Sequence, residues 1–337
     1  MSLLGYDPRT HYTGRAPIEA VAQGISLHPD DIVFRCNLVN IADGLMNDFT
    51  AGHIHTEEAA TIMSALNDAL ASDGIRFHAG VSYRNLMVMR EPDLSDVSCM
   101  PPHDIPGDAV EAYLPKGKAA RRICEIMDRA EPIVADHPVN EVRQKRGDPP
   151  ATGIWLWGQG VVPIMKRFRQ RFGVRGAAIA AVDLIRGLGK LLGWTLIDVP
   201  GATGDLNTDY AAKGRAAVAA LDAYDLVAVH IEAPDEAGHM GDADAKIEAL
   251  EKIDALIVEP VMEKLQAFDA WRILIAPDHP TPVARRTHTD APPPFCMAGT
   301  GLVAGTIIVD RFCERAAVGS GFHFDAGHEL MEYFLRK

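Results

Sequence analysis

Apolar and polar positions change rhythm near residue 150. Ahead of it, the apolar run DIVFRCNLVNI at 31–41 predicts a buried strand, and HTEEAATIMSALNDALAS at 55–72 spaces its apolar residues three and four apart, which predicts a helix capped by Thr56. Residues 75–90 predict one or two strands with GVSYR in the turn, 91–115 a loop-rich stretch around MPPHDIPGD, and 117–130 a helix. The polar, proline-marked run DHPVNEVRQKRGDPPATG then predicts a boundary near 140–150. Beyond it strand and helix alternate: GIWLW and a helix to about Phe172, AAIA and VDLIRGLGKLLG, WTLIDV and a helix ending near Leu221, DLVAVHI and a long helix, WRILIA and a loop. That alternation predicts an α/β fold, a mostly parallel sheet flanked by helices, behind a smaller α+β unit.

Within 244–265, Ile247, Leu250, Ile253 or Asp254, Ile257, Val261 and Leu265 fall on one helical stripe, with Pro260 as a kink or break. Trp155 and Trp157 alternate as strand residues do and are assigned to packing. The glycines of IRGLGKLLG lie inside a helical pattern, not between a strand and a helix, so they form no dinucleotide fingerprint and disfavour a nucleotide-dependent kinase.

Composition narrows the class. The 337 residues are 47% hydrophobic and 23% charged, enough for one large domain or two smaller ones. A formal charge of −13, with no basic run, excludes the electrostatic footprint of a nucleic-acid binder and requires a local positive site for any anionic substrate. No apolar stretch reaches a membrane span and residues 1–25 lack a signal-peptide pattern, so a cytoplasmic protein with no membrane partner is expected; oligomeric state stays open. The five scattered cysteines, Cys36, Cys99, Cys124, Cys296 and Cys313, suit small apolar packing residues, not a disulfide framework or a zinc ribbon.

Chemistry collects after two predicted strands. DLVAVHI runs into EAPDEAGH, where the D-x-x-x-H spacing brings Asp235 and His239 to one side of a turn. WRILIA runs into PDHPTP, with Asp278 and His279 adjacent and pointing to different sides, and RRTHTDAPPPF adds His288. Two carboxylates and three imidazoles at successive strand ends, where α/β proteins place their sites, form a mixed O/N set suited to zinc or manganese.

The segments HIEAPDEAGHMGD, APDHPTPVARRTHTDAPPPF, CNLVNIADGLMNDFTAGHIHTEEA, GVSYRNLMV and LLGYDPRTHYTGRAP resemble the cofactor-independent (2,3-bisphosphoglycerate-independent) phosphoglycerate mutases of the archaeal type, members of the alkaline phosphatase superfamily, over nearly the whole chain. The resemblance implies an alkaline-phosphatase-like α/β fold with residues 1–18 and 141–337 in the metal-binding core and 19–140 as an inserted substrate or cap domain. It implies two divalent ions, commonly manganese, with zinc or magnesium as alternatives. Asp235, His239 and His288 would bind one; Asp278 and His279, with two further ligands, the other. The implied reaction interconverts 3-phosphoglycerate and 2-phosphoglycerate, phosphorylated hydroxy acids, through a phosphoserine. The family's nucleophilic serine and first-strand aspartate precede its LLGYDP segment, so the resemblance assigns neither to residues 1–337 and implies a shortened N-terminus; Ser2 stands too close to LLGYDP to match the nucleophile. A non-catalytic metal-binding remnant, or another phosphatase or phosphomutase of the superfamily, are the alternatives.

Arg15 in YTGRAP and Arg84 in GVSYRN fall in family motifs and are expected substrate clamps, with surface ion pairs as the competing reading; Lys213 is a further cation of the same kind. Asp43, Asp48 and His53 in DGLMNDFTAGH, and His103 and Asp104 in PPHDI, are expected either to orient substrate and close the cleft or to stabilise loops.

Overall fold

The computed structural model describes residues 1–71, 74–90, 96–302 and 311–336; the first five residues of the expected loop at 91–115 and the end of the expected helix at 55–72 lie outside them. Contacts divide the chain into Met1–His11 with Met165–Lys337, and Tyr12–Ile164. The first segment carries a 3-10 turn at Ser2–Leu4 and one short α-helix, α1 (Pro8–His11).

In the 12–164 unit, the expected apolar strand is β1 (Ile32–Ala42), the spine of an antiparallel sheet. A tight turn with Asp43 and Gly44 both left-handed, at φ 52° and 74°, joins it to β2 (Leu45–Asp48). On one side β1 pairs with β4 (Arg84–Met89), flanked in turn by β3 (Ile75–Val81); on the other it pairs with β5 (Gly153–Gly160), Cys36 standing opposite Leu156. Strand alternation separates the two faces. Phe34, Cys36 and Leu38 join the main core with residues of α3 (Thr56–Leu70) and α4 (Ala120–Ala135), whereas Val33, Leu86 and Val88 pack with Ala16 and Ala20 of α2 (Arg15–Gln23). The cap of α3 is His55, not Thr56: His55 and Glu58 form a capping box, with the His55 N–H donating to Glu58 Oε2 at 3.3 Å.

The boundary falls at Ile164, not near 140–150. The polar run expected as a linker contains α5 (Pro138–Arg146), and two of its polar side chains are among the most buried in the unit. Asn140 Nδ2 donates to the carbonyls of Val134, Ala135 and Ala151 at 2.8, 3.0 and 2.7 Å, and its Oδ1 accepts from Ala151 N at 2.9 Å. Arg143 donates to Glu58 Oε2 and the Ala51 carbonyl, each at 2.5 Å, and to the Pro149 carbonyl at 3.0 Å. The chain then enters β5 beside β1, where Trp155 and Trp157 are buried. At the other end, α2 packs on β1 and β4, so residues 12–18 also belong to this unit and not to the core.

The other unit alternates as expected: α6 (Phe168–Phe172), β6 (Gly176–Ile179), α7 (Asp183–Leu192), β7 (Thr195–Leu196), α8 (Tyr210–Ala220), β8 (Leu226–Val229), α9 (Ala233–Met240) and α10 (Ala243–Ile253). A π-helical turn at 254–258 leads into α11 (Glu259–Leu265), then β9 (Arg272–Ile275), β10 (Cys296–Gly299), α12 (Glu314–Ser320) and α13 (Glu329–Leu335). Strands β7, β6 and β8 form a parallel sheet in that order, and β9 pairs antiparallel with β10. Tyr6 enters the core of Phe168, Leu192, Trp194 and Phe334, its hydroxyl donating to the Lys166 carbonyl at 2.6 Å.

Pro260 lies in the first turn of α11, where its missing N–H costs little, and the π turn absorbs the break. The apolar stripe is buried only in part: Ile257 and Leu265 are inside, but Ile247 and Leu250 are more than half exposed. On α10 the buried residue is Ala249, which clusters with Ala233 of α9 and Tyr210 of α8; its small side chain permits that approach. Of the cysteines only Cys36 is fully buried, the other four being half-buried, and none is in a disulfide. Burial pushes the Cys36 thiol far up and that of Cys99 to about 12. No helix among the described residues is long and apolar enough to cross a membrane.

Candidate metal centre and anion-binding face

Both metal-type segments begin where a strand of the α/β unit ends. Strand β8 stops at Val229 and α9 starts at Ala233, so Asp235 and His239 sit one turn apart, with His239 Nε2 3.3 Å from Asp235 Oδ2. Strand β9 stops at Ile275, and the loop after it carries Asp278 and His279. His288 arrives from the next loop; its Nε2 lies 3.0 Å from His239 Nε2 and 3.4 Å from Asp235 Oδ1.

These separations, the two to Asp235 ending on different carboxylate oxygens, test the fit to a cation. Ligands about 2.0–2.2 Å from a metal stand roughly 3.0–3.5 Å from one another in octahedral or tetrahedral geometry, the range spanned by Asp235, His239 and His288. Tautomers agree: His239 Nδ1 lies 3.1 Å from the Arg286 carbonyl, which can only accept, so Nδ1 holds the proton and Nε2 presents its lone pair. Two imidazole nitrogens at 3.0 Å need a proton or a cation between them. Burial first, and then the His279 imidazole beside it, lower the pKa of His288 and keep the ring in the neutral, ligating form.

His279 joins the same cluster. Its ring lies 3.9 Å from that of His288, its Nδ1 4.0 Å from Asp235 Oδ1, and its Nε2 3.5 Å from Asp278 Oδ2. Asp278 and His279 therefore turn toward each other, where the sequence predicts opposite sides. One ligand atom each from Asp235, His279 and His288 falls within 4.8 Å of the others, as do those of Glu232, Asp235 and Glu236.

Sequence reasoning missed Thr281, two residues past His279. Its hydroxyl donates to Asp235 Oδ1, its carbonyl accepts from Lys246 Nζ at 2.7 Å, and the residue is buried. A Cβ on Gly238 of α9 would collide with the Thr281 carbonyl, so glycine there lets helix and loop meet. Thr281 thus orients the central carboxylate. Changing Thr281→Val, which keeps the shape and removes the donor, is expected to weaken manganese or zinc binding about 10- to 100-fold. Metal titration of the two proteins checks this, and equal affinities would contradict it.

Lys213 is neither a surface cation nor part of that cluster. It is buried, with Nζ 3.3 Å from the carbonyls of Thr203 and His230, and burial lowers its pKa against the pull of Glu232 and Asp205. It ties the end of β8 to the 203 loop. His230 itself is 3.2 Å from Glu232, and burial lowers its pKa although Asp278 opposes the shift.

In the 12–164 unit, the remaining expected residues separate into two groups. Asp43 forms the β1–β2 turn. Asp48 accepts from Thr50 N and Oγ1 at 2.7 and 2.6 Å and from Gly52 N at 2.8 Å, fixing a loop in which Ala51, Gly52 and His53 are all left-handed. Asp104 is exposed, 3.8 Å from His103. The others share a surface: the His53 ring is 6.1 Å from Tyr83, which Arg84 overlies at 5.7 Å, and His103 is 5.0 Å from Trp157. Arg35, not selected from sequence, overlies Trp157 at 4.4 Å. Arg15 binds Glu19 through Nε at 2.7 Å, and Arg35 Nε lies 3.0 Å from the other Glu19 oxygen. A charged residue inside the apolar run IVFRCNLV was the available signal for Arg35.

Residues 1–140 match the family model of 2,3-bisphosphoglycerate-independent phosphoglycerate mutase. A protein of that name from Methanothrix thermoacetophila is 47% identical over 336 residues, covering 99% of this chain and 84% of the relative. A second, from Methanothermobacter thermautotrophicus, is 49% identical over 337 residues, covering 99% and 82%. Among solved structures, a protein from Pyrococcus horikoshii superposes with a TM-score of 0.78 at 27% identity, covering 99% of this chain and 80% of that one. The cofactor-independent phosphoglycerate mutase of Thermoplasma acidophilum gives 0.62 at 26% identity, covering 99% and 84%.

Proposed function

Because the chain belongs to the 2,3-bisphosphoglycerate-independent phosphoglycerate mutases, we propose that Asp235, His239 and His288 hold one divalent ion of the reaction and Asp278 with His279 contribute to a second. Manganese is the proposed metal, since carboxylate and imidazole without thiolate suit it, with zinc or magnesium as alternatives. When bound, such ions stabilise the attacking and leaving oxygens of phosphoryl transfer. The observation that supports the assignment is the convergence of His239 Nε2 and His288 Nε2, 3.0 Å apart, on the Asp235 carboxylate, one at 3.3 Å from Oδ2 and the other at 3.4 Å from Oδ1.

The substrates, 3-phosphoglycerate and 2-phosphoglycerate, carry a phosphate and a carboxylate, and a chain of net charge −13 meets them with concentrated guanidinium groups. Arg15, Arg84 and Arg35 are the proposed clamps, with His53 and His103 on the same surface. Lys213, Asp43 and Asp48 act on this reading through the loops they fasten, and Asp104 stands beside His103. Glycolysis and gluconeogenesis are the proposed setting and the cytoplasm the proposed compartment.

The test is phosphorus NMR of 3-phosphoglycerate incubated with the protein and manganese, without 2,3-bisphosphoglycerate. Growth of the 2-phosphoglycerate resonance is expected. Inorganic phosphate in its place would make the protein a phosphatase of the same superfamily.

A further inference from the structure

We infer that Glu19 is a positioning residue, which sets the guanidinium groups of Arg15 and Arg35 as the two walls of an oxyanion subsite on the face of β1. The inference rests on the mutase reading and names how one half of the substrate is recognised. Arg35 is only 6% exposed, and its Nε has no hydrogen-bond partner: it lies 3.0 Å from Glu19 Oε2, within ion-pair range but off the N–H axis. Glu19 therefore balances the charge at that edge without closing its hydrogen bond, and a buried guanidinium with unfilled donors is costly.

Three positive groups share the spot. Burial, with Arg15 and Arg84 adding to it, draws the Arg35 pKa down to about 10 against the opposing charge of Glu19. One buried carboxylate facing three arginines leaves a net charge of about +2, the complement of a phosphate monoester dianion. Glu19 spends its two oxygens on the Nε atoms of Arg15 and Arg35, and the terminal nitrogens of both, which make the bidentate fork that an oxyanion takes, have no hydrogen-bond partner among the described residues.

Gly158 of β5 borders the pair: a Cβ there would touch Arg35 Cδ at 3.6 Å and Arg15 Cβ at 3.9 Å, ordinary contact distances, so it is the φ of +61° and not space that favours glycine. Trp157 forms the floor beneath Arg35, and the register that sets Arg35 opposite Trp157 fixes both.

Charge and position predict opposite signs for one substitution. Glu19→Gln removes a negative charge beside the subsite, so if Glu19 acted by charge alone, anions would bind more tightly. If it positions the arginines, 3-phosphoglycerate binds more weakly although the pocket has become more positive. Calorimetric titration of 3-phosphoglycerate, and separately of inorganic phosphate, into metal-free full-length protein reads the difference.

Kd for both is expected to rise on the order of tenfold in Glu19→Gln. Arg35→Lys, which keeps the charge and loses the fork, is expected to weaken 3-phosphoglycerate to a similar degree. Unchanged or tighter binding in folded Glu19→Gln would overturn the positioning role, and unchanged binding in Arg35→Lys would overturn the subsite. If Glu19→Gln does not fold, Arg15→Lys tests the same contact from a half-exposed partner, with the same expected loss and the same contrary result. No metal or turnover enters these measurements, so their failure leaves the mutase reading standing, and phosphate release in the NMR assay would leave the subsite standing.

Discussion

Asp235→Asn is expected to abolish specific binding of manganese or zinc and to lower any mutase turnover of the protein by at least about 1,000-fold, at roughly 1.4 kcal/mol for each factor of ten. Asp235 is the hub of the cluster: its oxygens approach His239, His279 and His288 at 3.3, 4.0 and 3.4 Å and accept from Thr281. The amide keeps the volume and removes the charge, leaving imidazoles to hold a divalent ion without a carboxylate. Loss of affinity should exceed the roughly 100-fold ceiling for an outer partner such as Thr281. Equilibrium dialysis with elemental analysis checks it, and wild-type affinity in Asp235→Asn would remove the aspartate from the site.

The largest effect on stability is expected at Arg143. Its side chain is 1% exposed and makes hydrogen bonds to Glu58 and to the carbonyls of Ala51 and Pro149. Replacing it by methionine fills much of the space but strands a half of the Glu58 ion pair and two carbonyls, so a loss of about 3–5 kcal/mol is expected. Arg146, also 2.6 Å from Glu58, keeps that carboxylate from being wholly unpaired and argues for the lower end. Urea unfolding followed by tryptophan fluorescence measures the loss; a change below 1 kcal/mol would show that Arg143 is dispensable. Because Arg143 fastens the left-handed segment 51–53 through Ala51, the environment of His53 should change with it.

Arg143 also shows where sequence reading stops. The run DHPVNEVRQKRGDPPATG looks like a linker because polarity stands in for exposure, and hydrogen-bonded burial of Asn140 and Arg143 reverses that equation. Nothing in local spacing announces that Glu58, 85 residues earlier, is the partner. The shift of boundary to Ile164 follows from the same cause, together with the pairing of β5 to β1.

The alternation of strand and helix within the α/β unit was legible because each apolar run was short and bounded by helical or turn patterns. The exposed stripe at Ile247 and Leu250 was not, since a period of 3.6 marks one face of a helix without saying whether a neighbour covers it.

The site divides along similar lines. Asp235 and His239 were legible from D-x-x-x-H, because helical geometry alone brings them together. The approach of His288 to His239 depends on two loops and their tertiary path, which spacing does not encode. Thr281 escaped notice because a threonine beside a metal-type motif carries no charge and no periodic signal. Lys213, expected from sequence as a substrate cation or a surface ion pair, has small neighbours in DYAAKGRAA, and a lysine among alanines and glycine can pass inward to two carbonyls. The arginines needed the sheet register: Arg35 and Arg84 lie on adjacent strands, two residue pairs apart and so on the same face, and their closeness is visible only once β1 and β4 are aligned.

The most direct measurement is an anomalous-scattering map from crystals of the protein grown with zinc or manganese. A peak at ligand distance, about 2.0–2.2 Å for zinc, from an Asp235 carboxylate oxygen, His239 Nε2 and His288 Nε2 is the predicted result. A well-occupied peak elsewhere, with those three side chains bare of metal, would contradict the assignment on which the proposed function rests.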